Sequence, residues 1–232
     1  MVINLDDLNG LPLEFVKRLS AFDEIFKNSN YFEDYENNAD IKRLTIEIDK
    51  FCQTNKIIGY HYTNAIKEDV FKNGLLIRNG EDIHNAFVEK HFHLFTEEEQ
   101  ATILKGWNYL REKNAAKYRD NLVFFNFTLD GLQNSGADLL LHYYGGEQVY
   151  FPLYRQPQIS EKLKKIGTPM ILKCILNPKN IKTFWENQWG RIAVSSYHRL
   201  KNQDACVEDL DGSQQTAVQP ENIEIISYPL LV

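Results

Sequence analysis

Apolar residues recur with two different periods along this 232-residue chain. Phe15, Leu19, Phe22 and Phe26 fall at helical intervals, and Ile41, Leu44, Ile48 and Phe51 do so again after a polar break at 28–40. The spacing predicts two amphipathic helices, whose apolar stripes need an apolar partner in water. Ile57, Ile58 and Tyr60 then read as a short buried strand. Beyond it, 65–73 places Ile66, Val70 and Phe71 on one helical face, and Gly74 supplies the left-handed backbone that stops a helix. His61 is therefore expected where strand becomes loop, held by the sheet yet facing the space above it. A second, largely helical stretch is expected at 83–119, with Thr96-Glu97-Glu98-Glu99 as a helix start whose acids complement the dipole.

Composition sets limits on this picture. The length and a 43% hydrophobic content suffice for one domain with a helical addition. We divide the chain into a helical extension, 1–55, packed on a domain at 56–232 that carries the insertion 83–119. Cys52, Cys174 and Cys206 are odd in number, far apart and without metal-ligand spacing, which favours a reducing compartment and a cytoplasmic location over a disulfide framework. The first residues lack the basic start and apolar run of a signal peptide, and no run reaches membrane-spanning length, so no membrane partner is expected. A formal net charge of -6 without a long basic run argues against a surface built throughout for nucleic acid. No glycine-rich phosphate loop occurs, which disfavours Rossmann and P-loop chemistry.

Several constellations have ordinary explanations. His84, His91 and His93 would diverge on a helix, and their neighbours Phe87, Val88, Phe92, Leu94 and Phe95 look helical or core-forming, so no metal site is expected. Ser195-Ser196 near His198 lacks the Gly-x-Ser-x-Gly setting of a hydrolase. Trp185 and Trp189, at helical spacing, read most simply as core contacts.

Strand, Tyr60-His61-Tyr62-Thr63, helix and Gly74-Leu75 together resemble the opening of the ADP-ribosyltransferase fold, with Tyr62 standing where many members have glycine. The downstream order is similar: a strand at 122–129, the paired tyrosines closing 137–144, a strand at 169–176 and closing strands around 216–226. The likeness covers roughly 57–232. Tyr143-Tyr144-Gly145-Gly146-Glu147 and Ile166-Gly167-Thr168-Pro169 resemble an uncharacterised bacterial branch of that fold. The resemblance implies an α+β domain of two facing, mainly antiparallel sheets around an NAD cleft, with N-terminal helices. The implied activity is ADP-ribosyl transfer from NAD to a protein or nucleic-acid acceptor, or NAD hydrolysis, in a bacterial toxin or defence effector. A catalytically silent nucleotide or ADP-ribose binding module and a partner-binding interaction domain are the rival readings.

Breaking the nicotinamide–ribose bond develops positive charge on the sugar, as in glycoside hydrolysis. By resemblance His61 bonds a ribose hydroxyl, Tyr62 and Thr63 flank the nicotinamide amide, and Tyr143 or Tyr144 sandwiches its ring. A neutral imidazole suits its task, with one nitrogen donating and the other accepting. The late-strand glutamate of the family falls at Gln214 or Gln215 here, and glutamine supplies no negative charge. Glu147 is the substitute acid we favour: Gly145-Gly146 permits unusual dihedrals, and Val149 and Phe151 then alternate as in a strand. Glu221 and Glu224 are weaker candidates. Arg78, Arg155 and Arg191 are candidates for the pyrophosphate or, alternatively, plain surface arginines.

Overall fold

The computed structural model describes residues 1–113, 117–133, 135–208 and 210–227. In chain order the regular elements are β1 (Val2–Ile3), α1 (Leu13–Ser20), α2 (Asp23–Lys27), α3 (Ala39–Gln53), β2 (Lys56–Ala65), α4 (Lys67–Asn73), α5 (Gly80–His91) and α6 (Glu97–Glu112). After these come β3 (Val123–Asn126), α7 (Asp138–His142), α8 (Gly146–Tyr150), α9 (Pro157–Leu163), β4 (Thr168–Leu176), β5 (Ile181–Thr183), α10 (Gln188–Lys201), β6 (Asp211–Gln214) and β7 (Ile223–Ser227). The protein is a mixed α+β structure with one mainly antiparallel sheet. Its strand order is β5-β6-β3-β2-β4-β7, with β1 paired parallel to β2 off this path. Among the described residues the strands thus form one sheet, where two facing sheets were expected. The shared edges explain it, because β2 and β3 pair directly, antiparallel with Tyr60 opposite Asn126.

The chain forms two compact units, the first 1–60, 124–134 and 173–213, the second 61–123, 135–172 and 214–232. In the first, the N-terminal periodicity is realised. Leu19, Phe26, Ile41, Leu44 and Ile48 are buried, and Phe15 meets Phe51 edge to face at 5.6 Å. Asn38 caps α3 by accepting from the Asp40 and Ile41 amides. Helix α3 packs on α10, where Gly190 lies against the Thr45 carbonyl so closely that a Cβ would stand 2.0 Å from its oxygen. Asp49 of α3 accepts from the Trp189 and Gly190 amides at 3.0 and 3.4 Å and so satisfies two orphan donors of the α10 N-terminus. Ser195, Ser196 and His198 are buried in α10. His198 Nε2 donates to the Ser29 carbonyl at 2.8 Å and Nδ1 is bonded to the Tyr35 hydroxyl, so this imidazole is part of the core. Trp189 is buried as expected, but Trp185 is exposed because it precedes the helix rather than lying on its packed face.

The second unit has its own apolar cluster, centred on Phe87, Phe95, Ile103, Trp107, Val149 and Leu163. Thr96 and Glu99 form a reciprocal capping box at the start of α6, as their spacing predicts. Asn79 caps α5, and Gly74 ends α4 at φ 68°, where a Cβ would stand 2.1 Å from the Val218 carbonyl oxygen. Val70 is buried, whereas Phe71 is exposed under the Lys67 ammonium instead of sharing the packed face. Two local expectations fail. Strand β2 continues to Ala65, so His61 lies within a strand and not at its end. Residues 146–150 are the helix α8 and not a strand. Gly145 and Gly146, at φ 86° and 69°, turn the chain so that Glu147 enters a first helical turn, where its charge meets the dipole. Cys52 and Cys174 are buried, each thiol pushed up to about 12 by burial, and Cys206 is exposed. Among the described residues no helix is long and apolar enough to cross a membrane.

Candidate functional site

Strand alternation along β2 sorts the His-x-Thr residues. His61 and Thr63 are half-buried on one face, whereas Tyr60, Tyr62 and Asn64 point to the other and are buried. Tyr62 therefore belongs to the packed face, and of the three residues at 61–63 it is the least available to a ligand.

Asn64 fastens a second segment to this strand. Its Nδ2 donates to the His142 carbonyl at 3.1 Å, its main-chain oxygen accepts from the Gly145 amide at 3.2 Å, and Asn64 and Tyr144 form a parallel β-bridge. Gly167 lies against the Asn64 side chain, where a Cβ would stand 2.3 Å from Oδ1. The turn Tyr143-Tyr144-Gly145-Gly146-Glu147 is thereby laid beside the strand that carries His61 and Thr63. Asn64 was not among the candidates, although a polar residue continuing the buried phase of Tyr60 and Tyr62 is the signal that marks it.

Both tyrosines of the turn are held by aromatic neighbours. The Tyr143 ring lies 5.4 Å from that of Tyr150 with the Lys164 ammonium over it, and the Tyr144 hydroxyl is bonded to His91 Nε2 at 3.0 Å with the rings edge to face. Burial raises the Tyr144 hydroxyl above its ordinary range; Asp69 adds to the shift and the Arg78 guanidinium opposes it. Burial also lowers His91, with the Lys90 charge assisting. Glu147 is paired with Arg119: Nη2 donates to Oε1 at 2.9 Å, and Nε donates to Oε2 alongside. This two-pronged pair is partly exposed, so it fixes orientation more than it stabilises the fold. It also neutralises much of the charge that a developing cation would feel. Twenty-eight residues separate its members, and no local pattern announces it.

The remaining candidates are dispersed. Arg78 is exposed, with its carbonyl accepting from the Asn121 amide at 3.0 Å. Gln214 is buried and donates through Nε2 to the Thr216 carbonyl at 2.5 Å, so its amide is engaged locally, while Gln215, Glu221 and Glu224 are exposed. Arg155 is exposed and donates to the hydroxyl of its neighbour Tyr154. Arg191, in the first unit, pairs with Glu208 at 2.8 Å and Glu36 at 3.5 Å over the Phe32 ring, which makes it a structural clamp there. His84 stacks on Trp107 at 4.0 Å and donates from Nε2 to the Gln148 carbonyl, and His93 is exposed. The three imidazoles of the 84–93 stretch thus have separate surroundings.

In comparisons with known proteins, the chain matches no family model, no curated protein and no solved structure.

Proposed function

We propose that the strand bearing His61 and Thr63 and the turn from Tyr143 to Glu147 form the nicotinamide–ribose end of an NAD site, in an ADP-ribosyltransferase-like domain. The protein would transfer ADP-ribose from NAD to an acceptor, or to water as a glycohydrolase. The observation that carries this reading is the Asn64–Tyr144 bridge, which sets an imidazole-bearing strand beside a tyrosine pair and a carboxylate. In this arrangement His61 orients a ribose hydroxyl, Tyr143 or Tyr144 stacks on the nicotinamide, and Glu147 lends negative charge to the sugar as the bond breaks. Arg119 aims the carboxylate in the free protein through its two-pronged pair with Glu147.

One observation favours a second reading. With Glu147 neutralised by Arg119 and Gln214 bonded to Thr216, the domain has the makings of a silent nucleotide or ADP-ribose binding module. Incubation with NAD labelled in the nicotinamide, alongside calorimetric titration, separates the two. Release of label that His61→Ala diminishes supports the enzyme. Binding without release, in the presence of candidate acceptors, supports the silent module, and absence of both binding and release refutes both.

A further inference from the structure

The second unit carries an open groove that the NAD reading does not use. It has a volume of about 630 Å³ and runs between helix α6 and the segment 151–156. Its lining includes the aromatic residues Tyr109, Phe151 and Tyr154 and the cationic residues Lys105 and Arg155. Tyr109 is 57% and Phe151 48% exposed, a large aromatic area left in water on a face where Gly106 lets α6 approach Pro152 closely. The Arg155 guanidinium lies 5.3 Å from the Tyr154 ring centre, and the Lys113 ammonium, outside the groove lining, 5.8 Å from that of Tyr109, so two of the aromatic rings each have a cation beside them. None of the residues lining the groove is acidic, although the chain as a whole carries a net charge of -6.

We propose that this groove binds single-stranded nucleic acid. Exposed ring faces offer stacking platforms to unpaired bases of any sequence, and Lys105 and Arg155 meet the phosphates between them. Local charge complementarity excludes a basic partner. The paired presence of flat aromatic faces and cations favours a polymer of bases and phosphates over an acidic peptide, which would use the cations alone. The site stands apart from the NAD reading and does not depend on it.

The test is fluorescence anisotropy with a labelled oligothymidine of about twelve nucleotides, within the span that single-stranded binding sites cover. The wild type is expected to bind, with log affinity falling against log salt at a slope of about -1.4 if two phosphates are neutralised. Phe151→Ala and Tyr109→Ala should each weaken binding about fivefold or more. Combined Lys105→Glu and Arg155→Glu should abolish it. No binding by the wild type, unchanged affinity in these variants, or stronger binding of polyglutamate or of duplex DNA would overturn the assignment. Photocrosslinking of a thiothymidine oligomer to wild-type protein guards against misfolded variants: adducts should map to peptides containing Tyr109 or Phe151, and adducts confined to other regions overturn the proposal.

Discussion

Replacing Gly190 by alanine sets two effects of opposite sign against each other. On helix propensity alone, alanine stabilises by up to about 1 kcal/mol relative to glycine. The packing of α3 on α10 predicts the reverse. A methyl group at Gly190 would stand 2.0 Å from the Thr45 carbonyl oxygen, and Cβ contacts essentially never fall below 3.0 Å, so the two helices must part by at least about 1 Å. That movement lengthens the 3.0 Å bond from the Trp189 amide to Asp49 to about 4 Å, past hydrogen-bond range. Overpacking costs about 1–3 kcal/mol and losing a bond to a buried carboxylate about 1.5–3 kcal/mol. After the propensity gain is subtracted, Gly190→Ala should lose about 1.5–5 kcal/mol, a large share of the ~5–15 kcal/mol typical of a folded protein. Urea unfolding followed by far-ultraviolet circular dichroism measures it. A variant as stable as wild type, or more stable by the propensity increment, would refute the close helix contact.

Other expectations concern the second unit. Glu147→Gln should cost less than about 1 kcal/mol in stability, since the Arg119 pair is partly exposed, but should lower turnover of NAD about a hundredfold or more with little change in affinity if the carboxylate stabilises the sugar cation. Arg119→Gln should match that small stability loss without the same fall in turnover, and equal kinetic losses in the two variants would remove Glu147 from the cation-stabilising role. His61→Ala should weaken NAD binding in calorimetry, and an unaltered dissociation constant would exclude it from the site. Burial holds His84 and His91 below the ordinary 6.5, so the unfolded chain binds more protons than the folded one between their folded values and 6.5. Their contribution is complete above about 6.5 and is lost as pH falls through that window, at no more than about 1.4 kcal/mol per pH unit for each. His84→Phe, which keeps the stack on Trp107 while removing the titration, should flatten the acid limb of a thermal-stability profile, and an unchanged limb would count against this origin.

The parts of the structure legible in the sequence are those governed by short-range periodicity and capping. The stripes through Leu19, Phe26, Ile41, Leu44 and Ile48, the Thr96–Glu99 box and the positive φ at Gly74 each depend on residues within a turn or two. Misread elements share a cause. Val149 and Phe151 alternate over too few residues to separate strand from helix, and the Gly145-Gly146 turn decides for helix by starting one. The apolar run of Ile57, Ile58 and Tyr60 stops before His61 and a helical pattern begins at 65, so His61 reads as a strand end. In fact His61 and Thr63 occupy its less buried face while Tyr62 and Asn64 continue the buried one. The connections that build the site run through long-range partners: Asn64 to His142, Glu147 to Arg119, Tyr144 to His91. No local pattern encodes such pairings, so the sequence points to Glu147 and Tyr144 without joining them to Arg119 and His91, and it passes over Asn64.

The most direct examination of the NAD proposal is a crystal structure of the protein with NAD, or a non-hydrolysable analogue, bound. The proposal predicts the nicotinamide against Tyr143 or Tyr144, His61 within hydrogen-bond reach of a ribose hydroxyl, and the Glu147 carboxylate turned from Arg119 toward the sugar. A dinucleotide seated elsewhere, or one at His61 with Glu147 still locked to Arg119 and no other acid near the ribose, would contradict it.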